Sequence, residues 1–163
     1  AELADDFTPT VPVIAHAIHA CTELGWAARL ACCIYPAVPL LQPQALADAL
    51  ALLEASDAPY AFPVLAYRAP IQRALNRDAH GRSAPLHPEY MQTRTQDLPP
   101  AFHDAGQFYW GRVEAWLAGR PLHADACTLV CDEGSVLDID TPADWALAEA
   151  LYRVRREAED VAA

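Results

Sequence analysis

The chain has 163 residues, 53 % of them hydrophobic and 20 % charged, and a formal net charge of −11. These proportions suit one globular domain with a substantial core, and they exclude a disordered chain. The acidic balance argues against a general binder of nucleic acid or anionic membrane, and no apolar run approaches the ~18 residues that cross a bilayer.

In chain order, Thr8 or Thr10 is placed to cap a helix. Its apolar positions Ile14, Ala17, Ile18, Cys21 and Leu24 follow helical spacing, and Gly25 is the stop. Residues 30–35 form a short continuous apolar run ended by Pro36, the pattern of a buried parallel strand. Pro43 opens an alanine- and leucine-rich helix through about Glu54, and residues 60–67 read as a second strand. From 68 to 102 the pattern changes. Prolines at 70, 85, 88, 99 and 100 exclude a long regular helix, so this stretch is an irregular arm with a function or a partner. Order resumes at 107–109 and in a helix at 113–117 that Gly119 ends. A strand-like run at 136–140 then leads into a last helix. There Thr141 is a good cap, Pro142 fits the first helical position and Asp144 lies in the favourable first turn, with Trp145, Ala148 and Tyr152 as the buried stripe. The order α-β-α-β, arm, β-α-β-α indicates a layered α/β fold. No secretory leader opens the chain, no internal repeat is visible, and a single domain over 1–163 is expected.

The five cysteines, Cys21, Cys32, Cys33, Cys127 and Cys131, are an odd set without framework spacing. Cys32 and Cys33 lie inside an apolar run, where cysteine behaves as a small hydrophobe. Cys127 and Cys131 lack the second pair that a zinc site needs, so free thiols in a reducing cytoplasm are expected.

Chemistry concentrates at two places. Residues 103–111 (HDAGQFYWG) and 136–142 (VLDIDTP) each set polar groups beside an apolar, strand-like run. In extended geometry Asp138 and Asp140 share a face roughly 6–7 Å apart along the chain, while Ile139 points the other way. Such a pair suits a hard divalent cation and the phosphate oxygens it bridges, and one metal with a few arginines reverses an acidic field locally. The plain alternative is that the aspartates cap the next helix, whose N-terminus favours negative charge. A haloacid-dehalogenase-type phosphatase is disfavoured by Pro142, where its motif has threonine or valine, and by the 23 residues that follow Asp140, fewer than its downstream domain is expected to need. His16 and His19 lack a third metal ligand. His103 beside Asp104 has no well-placed serine nucleophile to serve.

Taken together, these segments resemble the cytidylyltransferases that activate nine-carbon acidic sugars, the CMP-sialic acid synthetase family, and most closely its pseudaminic acid branch. The residues that carry the likeness are Asp5, Asp6, Phe7 and Thr8; Cys33, Ile34, Tyr35 and Pro36; Pro70, Ile71, Gln72, Arg73, Ala74 and Leu75; Tyr90 with residues 93–98 (TRTQDL); 103–111; and 138–142 with Asp144 and Trp145. They occur in the family's order over nearly the whole chain. The resemblance implies a Rossmann-like three-layer α/β/α sandwich of the nucleotide-diphospho-sugar transferase type. Residues 68–102 would be an extended dimerisation arm within it. It implies transfer of CMP from CTP to the anomeric hydroxyl of a pseudaminic or sialic acid type sugar, with release of pyrophosphate, in a cytoplasmic homodimer that serves flagellin glycosylation. By the same resemblance Asp138 and Asp140 hold Mg²⁺, Arg73, Arg94, Gln96 and Gln107 face the sugar acid, and Thr8 and Thr10 lie near the nucleotide. Nucleic-acid and membrane partners are not implied.

The chain departs from the family in two respects. Members begin with a strand and a glycine-, serine- and lysine-containing loop that cradles the CTP phosphates; neither is present, and all 11 basic residues are arginine. The expected domain is therefore N-terminally incomplete. Asp132 and Glu133 also stand where a basic residue is expected before the aspartate pair. The alternative reading is a catalytically incomplete sugar-binding or dimerising fragment of such an enzyme.

Overall fold

A computed structural model describes residues 3, 5 and 7–162. Asp6 of the resemblance lies outside the described residues. The fold is mixed α/β, and the chain divides into two compact units, residues 1–64 with 105–163 and residues 65–104.

The first unit carries four helices: α1 (Thr10–Glu23), α2 (Pro43–Glu54), α3 (Val113–Leu117) and α4 (Pro142–Ala162). Its strands belong to a five-stranded sheet, in which β1 (Leu30–Ile34) pairs with β6 (Phe108–Arg112), β6 with β2 (Tyr60–Ala66), and β2 with both β7 (Cys127–Val130) and β5 (Phe102–Asp104). β2 extends across the boundary by its last two residues. β6 is antiparallel to both β1 and β2, whereas β2 and β7 are parallel. β1 is thus apolar as expected but pairs antiparallel: its sole neighbour among the described residues is β6, which the chain enters from the opposite end of the sheet.

Alternation along the strands divides the core between two faces. On one, Ile18 of α1 and Ala115 and Trp116 of α3 pack on Tyr60, Phe62, Val64 and Tyr109. On the other, Ala49 and Leu53 of α2 pack on Ala61 and Phe108. On the first of these faces, Trp116 of α3 and Tyr60 of β2 close over β6 at Gly111. A Cβ there would stand 2.3 Å from Trp116 Nε1 and 2.6 Å from Tyr60 Cδ1, so only glycine lets those rings close over the strand. Arg112, next in line, donates to the carbonyls of Leu53, Ser56 and Ala58 at 2.6–3.0 Å and so satisfies the C-terminal end of α2. Pro63 sits inside β2 without an N–H to give. The β2–β6 ladder covers Tyr60 and Ala61 alone, so no donor is missed there.

Several local expectations need correction. α1 begins at Thr10 behind Pro9, with no side-chain cap. The Thr8 hydroxyl is drawn back to Asp5 and the Thr10 hydroxyl to Tyr35. Gly25 does end α1, at φ +88. The strand expected at 136–140 is absent; the strand is β7, earlier in the chain, and the turn Glu133–Ser135 separates it from the aspartates. On α4, Ala148 is buried but Trp145 and Tyr152 are 60 % and 52 % exposed. The helix contacts the body through the Ala148 line, where Arg155 donates to the Leu40 carbonyl at 2.9 Å, and its aromatic flank stays open.

The second unit, residues 65–104, holds more order than an irregular arm. β3 (Leu75–Arg77) and β4 (Ser83–Pro85) form an antiparallel hairpin, and β5 (Phe102–Asp104) closes the unit. Asp78 ties the hairpin loop. Its carboxylate accepts from the His80 and Arg82 amides at 2.9 Å and from Arg82 Nε at 3.0 Å, which holds its pKa below the ordinary carboxylate value, and Gly81 takes the left-handed turn at φ +83. Three short 3-10 turns, Ile71–Arg73, Pro88–Tyr90 and Thr95–Asp97, follow the prolines and polar clusters that exclude longer helices. Among the described residues no helix is long and apolar enough to cross a membrane.

Candidate functional site

The carboxyl ends of β1, β2 and β7 lie at one end of the first unit's sheet, the end where open α/β sheets place ligands. Tyr35 leaves β1 there, and its amide donates to the carbonyl of Gln107, the residue that precedes β6. The Tyr35 hydroxyl and the Thr10 hydroxyl share a hydrogen bond of 2.8 Å, which ties the start of α1 to the same end. Just before that helix, the Asp5 carboxylate gathers the amides of Phe7 and Thr8 and the Thr8 hydroxyl at 2.7–2.9 Å, and these bonds lower its pKa.

Gln107 is 2 % exposed. Its amide N–H donates to the Ser135 carbonyl at 2.9 Å, and the Cys131 amide donates to Val64 at 2.9 Å. These two bonds fasten both ends of the turn that leaves β7. The Ser135 hydroxyl closes the turn on the Asp132 carbonyl at 2.6 Å. The chain then passes through Asp138, Ile139 and Asp140 without regular secondary structure. Both aspartates are exposed while Ile139 is half-buried, lining a small apolar hollow with Pro39, Trp145, Ala148 and Tyr152. The alternation expected of a strand is therefore kept without a ladder, imposed by burial of Ile139.

The helix-capping alternative is resolved by Asp144. Its carboxylate accepts from the Thr141 amide at 2.8 Å, the Thr141 hydroxyl at 2.7 Å and the Asp140 amide at 3.3 Å, and the Asp144 amide returns a 3.3 Å bond to Thr141 Oγ1. This reciprocal pair is a capping box, and the Thr141 hydroxyl is the main cause of the lowered Asp144 pKa. α4 needs nothing more from the preceding carboxylates. Among the described residues, the side chains of Asp138 and Asp140 accept no hydrogen bond and form no ion pair. No cluster of three or more potential metal ligands is present there. The donor set is two hard, open carboxylates. That fits Mg²⁺, which is commonly held by one or two carboxylates together with substrate phosphates and water rather than by an all-protein cage.

A cavity of about 580 Å³ lies at the other end of the sheet, around Arg29, Glu54, Arg112 and Glu114. It borders Leu30 and Arg112, the start of β1 and the end of β6, so it is separate from the aspartate pair. Arg112 is committed there to the end of α2.

In the second unit, the Arg73 guanidinium donates to the carbonyls of Met91 and Thr93, linking two of the 3-10 turns. Arg94 forms a two-pronged pair with Asp97, at 2.7 and 3.2 Å. Gln96 is exposed. Gln72 donates to the Pro99 carbonyl at 3.2 Å. Of the residues singled out from sequence, the structure thus groups Thr8, Thr10, Gln107, Asp138 and Asp140 in one unit and Arg73, Arg94 and Gln96 in the other. Sequence reasoning missed two partners, Tyr35 for Thr10 and Ser135 for Gln107. Tyr35 was within reach as a polar aromatic at a strand end. Ser135 acts through its backbone carbonyl, which leaves no trace in residue type.

No protein-family model matches this chain. Two Campylobacter jejuni proteins named pseudaminic acid cytidylyltransferase are each 30 % identical to it over 156 residues, 95 % of this chain and 67 % of theirs. A Helicobacter pylori protein named pseudaminic acid cytidylyltransferase and UDP-2,4-diacetamido-2,4,6-trideoxy-beta-L-altropyranose hydrolase is 34 % identical over 122 residues, 74 % of this chain and 23 % of that longer protein. The match to the Campylobacter proteins runs through both units and reaches the aspartate pair's end of the sequence. By that likeness, the chain belongs to the pseudaminic acid cytidylyltransferase family.

Proposed function

We propose that this chain transfers CMP from CTP to pseudaminic acid, with Mg²⁺ held by Asp138 and Asp140. The observation that carries the reading is the state of those two carboxylates: exposed, free of hydrogen bonds and ion pairs among the described residues, and fixed in direction by half-buried Ile139. In the reaction the sugar's anomeric hydroxyl oxygen attacks the α-phosphorus of CTP. A new P–O bond forms, the bond to the bridging oxygen of the β-phosphate breaks, pyrophosphate leaves, and the hydroxyl proton passes to base. When bound, Mg²⁺ offsets the phosphate charge that the transition state gathers. The chain's own part is positioning. Gln107 and the Ser135 turn hold the aspartate segment against the sheet end, and Thr10 with Tyr35 anchors the start of α1 there. Arg73, Arg94 and Gln96 of the second unit are assigned to the sugar acid by the family resemblance; Arg94, paired with Asp97, would exchange that partner for the sugar's carboxylate, which suits the same two-pronged fork. Thr8 and Thr10 lie near the nucleotide.

The proposal extends to the assembly. The architecture is read as a Rossmann-like three-layer sandwich, and residues 68–102 as an arm that pairs two chains. Support comes from the second unit's composition: Leu65 and Leu98 are its buried hydrophobics, while Leu75, Met91, Leu86 and Phe102 stay exposed. All five cysteines are free thiols, which is what a cytoplasmic setting leaves. The product would serve flagellin glycosylation.

A second reading, a sugar-binding or dimerising module without turnover, is favoured by one observation: all 11 basic residues among these 163 are arginine, so none is a lysine aimed at phosphates. One assay separates the two. Purified protein is given CTP, Mg²⁺ and pseudaminic acid, and pyrophosphate is measured. Release that falls at least ~100-fold in both Asp138→Asn and Asp140→Asn supports the transferase. Sugar binding without pyrophosphate release supports the module.

A further inference from the structure

We propose that His103 is the general base that takes the anomeric hydroxyl proton in the transfer. The inference rests on the transferase reading, which leaves that proton without an assigned acceptor. In that reading Asp138 and Asp140 are engaged with the cation, so the base is a different group. His103 Nδ1 lies 2.9 Å from the Asp104 carbonyl oxygen. A carbonyl only accepts, so Nδ1 carries the ring's hydrogen, and the neutral imidazole keeps its lone pair on Nε2. The residue is exposed, and among the described residues Nε2 meets no hydrogen-bond partner. The second unit thus holds a basic nitrogen open to a reactant, in the tautomer that proton abstraction requires.

The ring is also held in place. Tyr67, one residue beyond the carboxyl end of β2, packs against it at 4.9 Å between ring centroids, with the planes 59° apart. The Tyr67 amide donates to the Ala101 carbonyl at 2.9 Å, so the two rings stand on stretches of backbone that are bonded to each other. When Nε2 gains a proton, the bond from Nδ1 to the Asp104 carbonyl becomes charge-assisted and strengthens. The other histidines of the second unit lack this preparation. His87 has the Glu89 carboxylate at 3.4 Å, beyond ordinary hydrogen-bond length, and His80 sits in the exposed loop that Asp78 ties. Arg73, Arg94 and Gln96, assigned to the sugar acid, belong to the same unit as His103.

The step balances. Nε2 accepts the hydroxyl proton as the anomeric oxygen bonds to the α-phosphorus. The bond to the bridging oxygen breaks, pyrophosphate leaves with that electron pair, and the imidazolium returns its proton to water.

The test follows pyrophosphate release from CTP, Mg²⁺ and pseudaminic acid. His103→Asn keeps a side-chain N–H for the Asp104 carbonyl but has no base. Its kcat is expected to fall ~100-fold or more, with KM for the sugar within ~2-fold of the parent value. In His103→Ala, added imidazole is expected to raise turnover ~10-fold or more. Unchanged exchange of the Tyr67 amide in both variants reports an intact fold. Nitrogen NMR of the parent is expected to show Nδ1 of His103 protonated and Nε2 bare. The proposal is overturned by the opposite tautomer, by His103→Asn turning over as the parent does, by a loss confined to KM, or by a His103→Ala loss that imidazole does not relieve. A parent that releases no pyrophosphate overturns the transferase reading and this role together, whereas an active parent with an equally active His103→Asn overturns this role alone.

Discussion

The two units of the chain are held by different physics. In the first, paired clusters of side chains cover both sheet faces, and Trp116, Tyr60, Phe108 and Leu53 are fully buried. In the second, hydrogen bonds within short turns do most of the work: Asp78 with its loop, Arg73 with Met91 and Thr93, Arg94 with Asp97. Burial scales with apolar area, whereas an exposed polar bond trades against water and contributes little net. Substitutions in the first unit are therefore expected to lower global stability, and those in the second to loosen local structure.

The sharpest probe of that contrast is Gly111→Ala. The added Cβ meets the Trp116 and Tyr60 rings well inside contact distance, and a loss of ~3 kcal/mol or more is expected in chemical denaturation. A loss under ~1 kcal/mol would show that the rings have room to part. Arg112→Leu comes next, at ~2 kcal/mol, because the Leu53 carbonyl at the end of α2 and the Ser56 and Ala58 carbonyls just beyond it lose a charged donor. In the second unit, Arg73→Met is expected to change global unfolding by less than ~1 kcal/mol while speeding proteolytic cleavage within residues 65–104. An equal loss by Arg112→Leu and Arg73→Met would erase the contrast. The smallest effect concerns the start of α4. The Asp144 pKa is lowered by Thr141, so its contribution is present above the ordinary carboxylate value and is lost as pH falls through the folded value. The protection factors of amides 141–145, which correct for the intrinsic pH dependence of exchange, should fall as pH drops below the ordinary carboxylate value, and Asp144→Asn should remove that change.

Hydrophobic periodicity made the first unit legible. The run at 30–34, Pro43 at the head of α2, Gly25 and Gly119 after their helices, and the Thr141–Pro142 start of α4 all lie where local chemistry places them. What periodicity could not supply was pairing. Nothing within LACCI distinguishes a parallel neighbour from an antiparallel one, since that choice depends on β6, some 75 residues later. Position 145 shows a second limit. Its spacing with Ala148 and Tyr152 marks a shared stripe, but the helix turns its Ala148 line inward and leaves the larger aromatic groups outside.

The candidate site was legible as residue types and not as a framework. Asp138 and Asp140 stand out by their spacing, and Thr141 and Asp144 carry a cap signature that accounts for the helix without them. The anchor of Gln107 on Ser135 joins residues 28 apart through a main-chain carbonyl, which no pattern of side chains records. The same holds for the second unit. Its prolines exclude a helix, and its order lies in bonds from arginine side chains to backbone carbonyls.

Burial also assigns roles among the thiols. Cys32 is pushed up to about 12 by desolvation and by neighbouring Cys33, so it stays protonated and inert at neutral pH. The carboxylate pair, by contrast, is open to solvent and unspent, and the account depends on that difference between committed and available groups. The most direct test is binding of a divalent ion without turnover. Mn²⁺, a spectroscopic stand-in for Mg²⁺, is titrated by electron paramagnetic resonance in the presence of CTP. One ion per chain is expected for the parent protein, with affinity lost at least ~10-fold in Asp138→Asn and in Asp140→Asn. Equal Mn²⁺ affinity in the parent and both variants would contradict the assignment of these two carboxylates as the metal site.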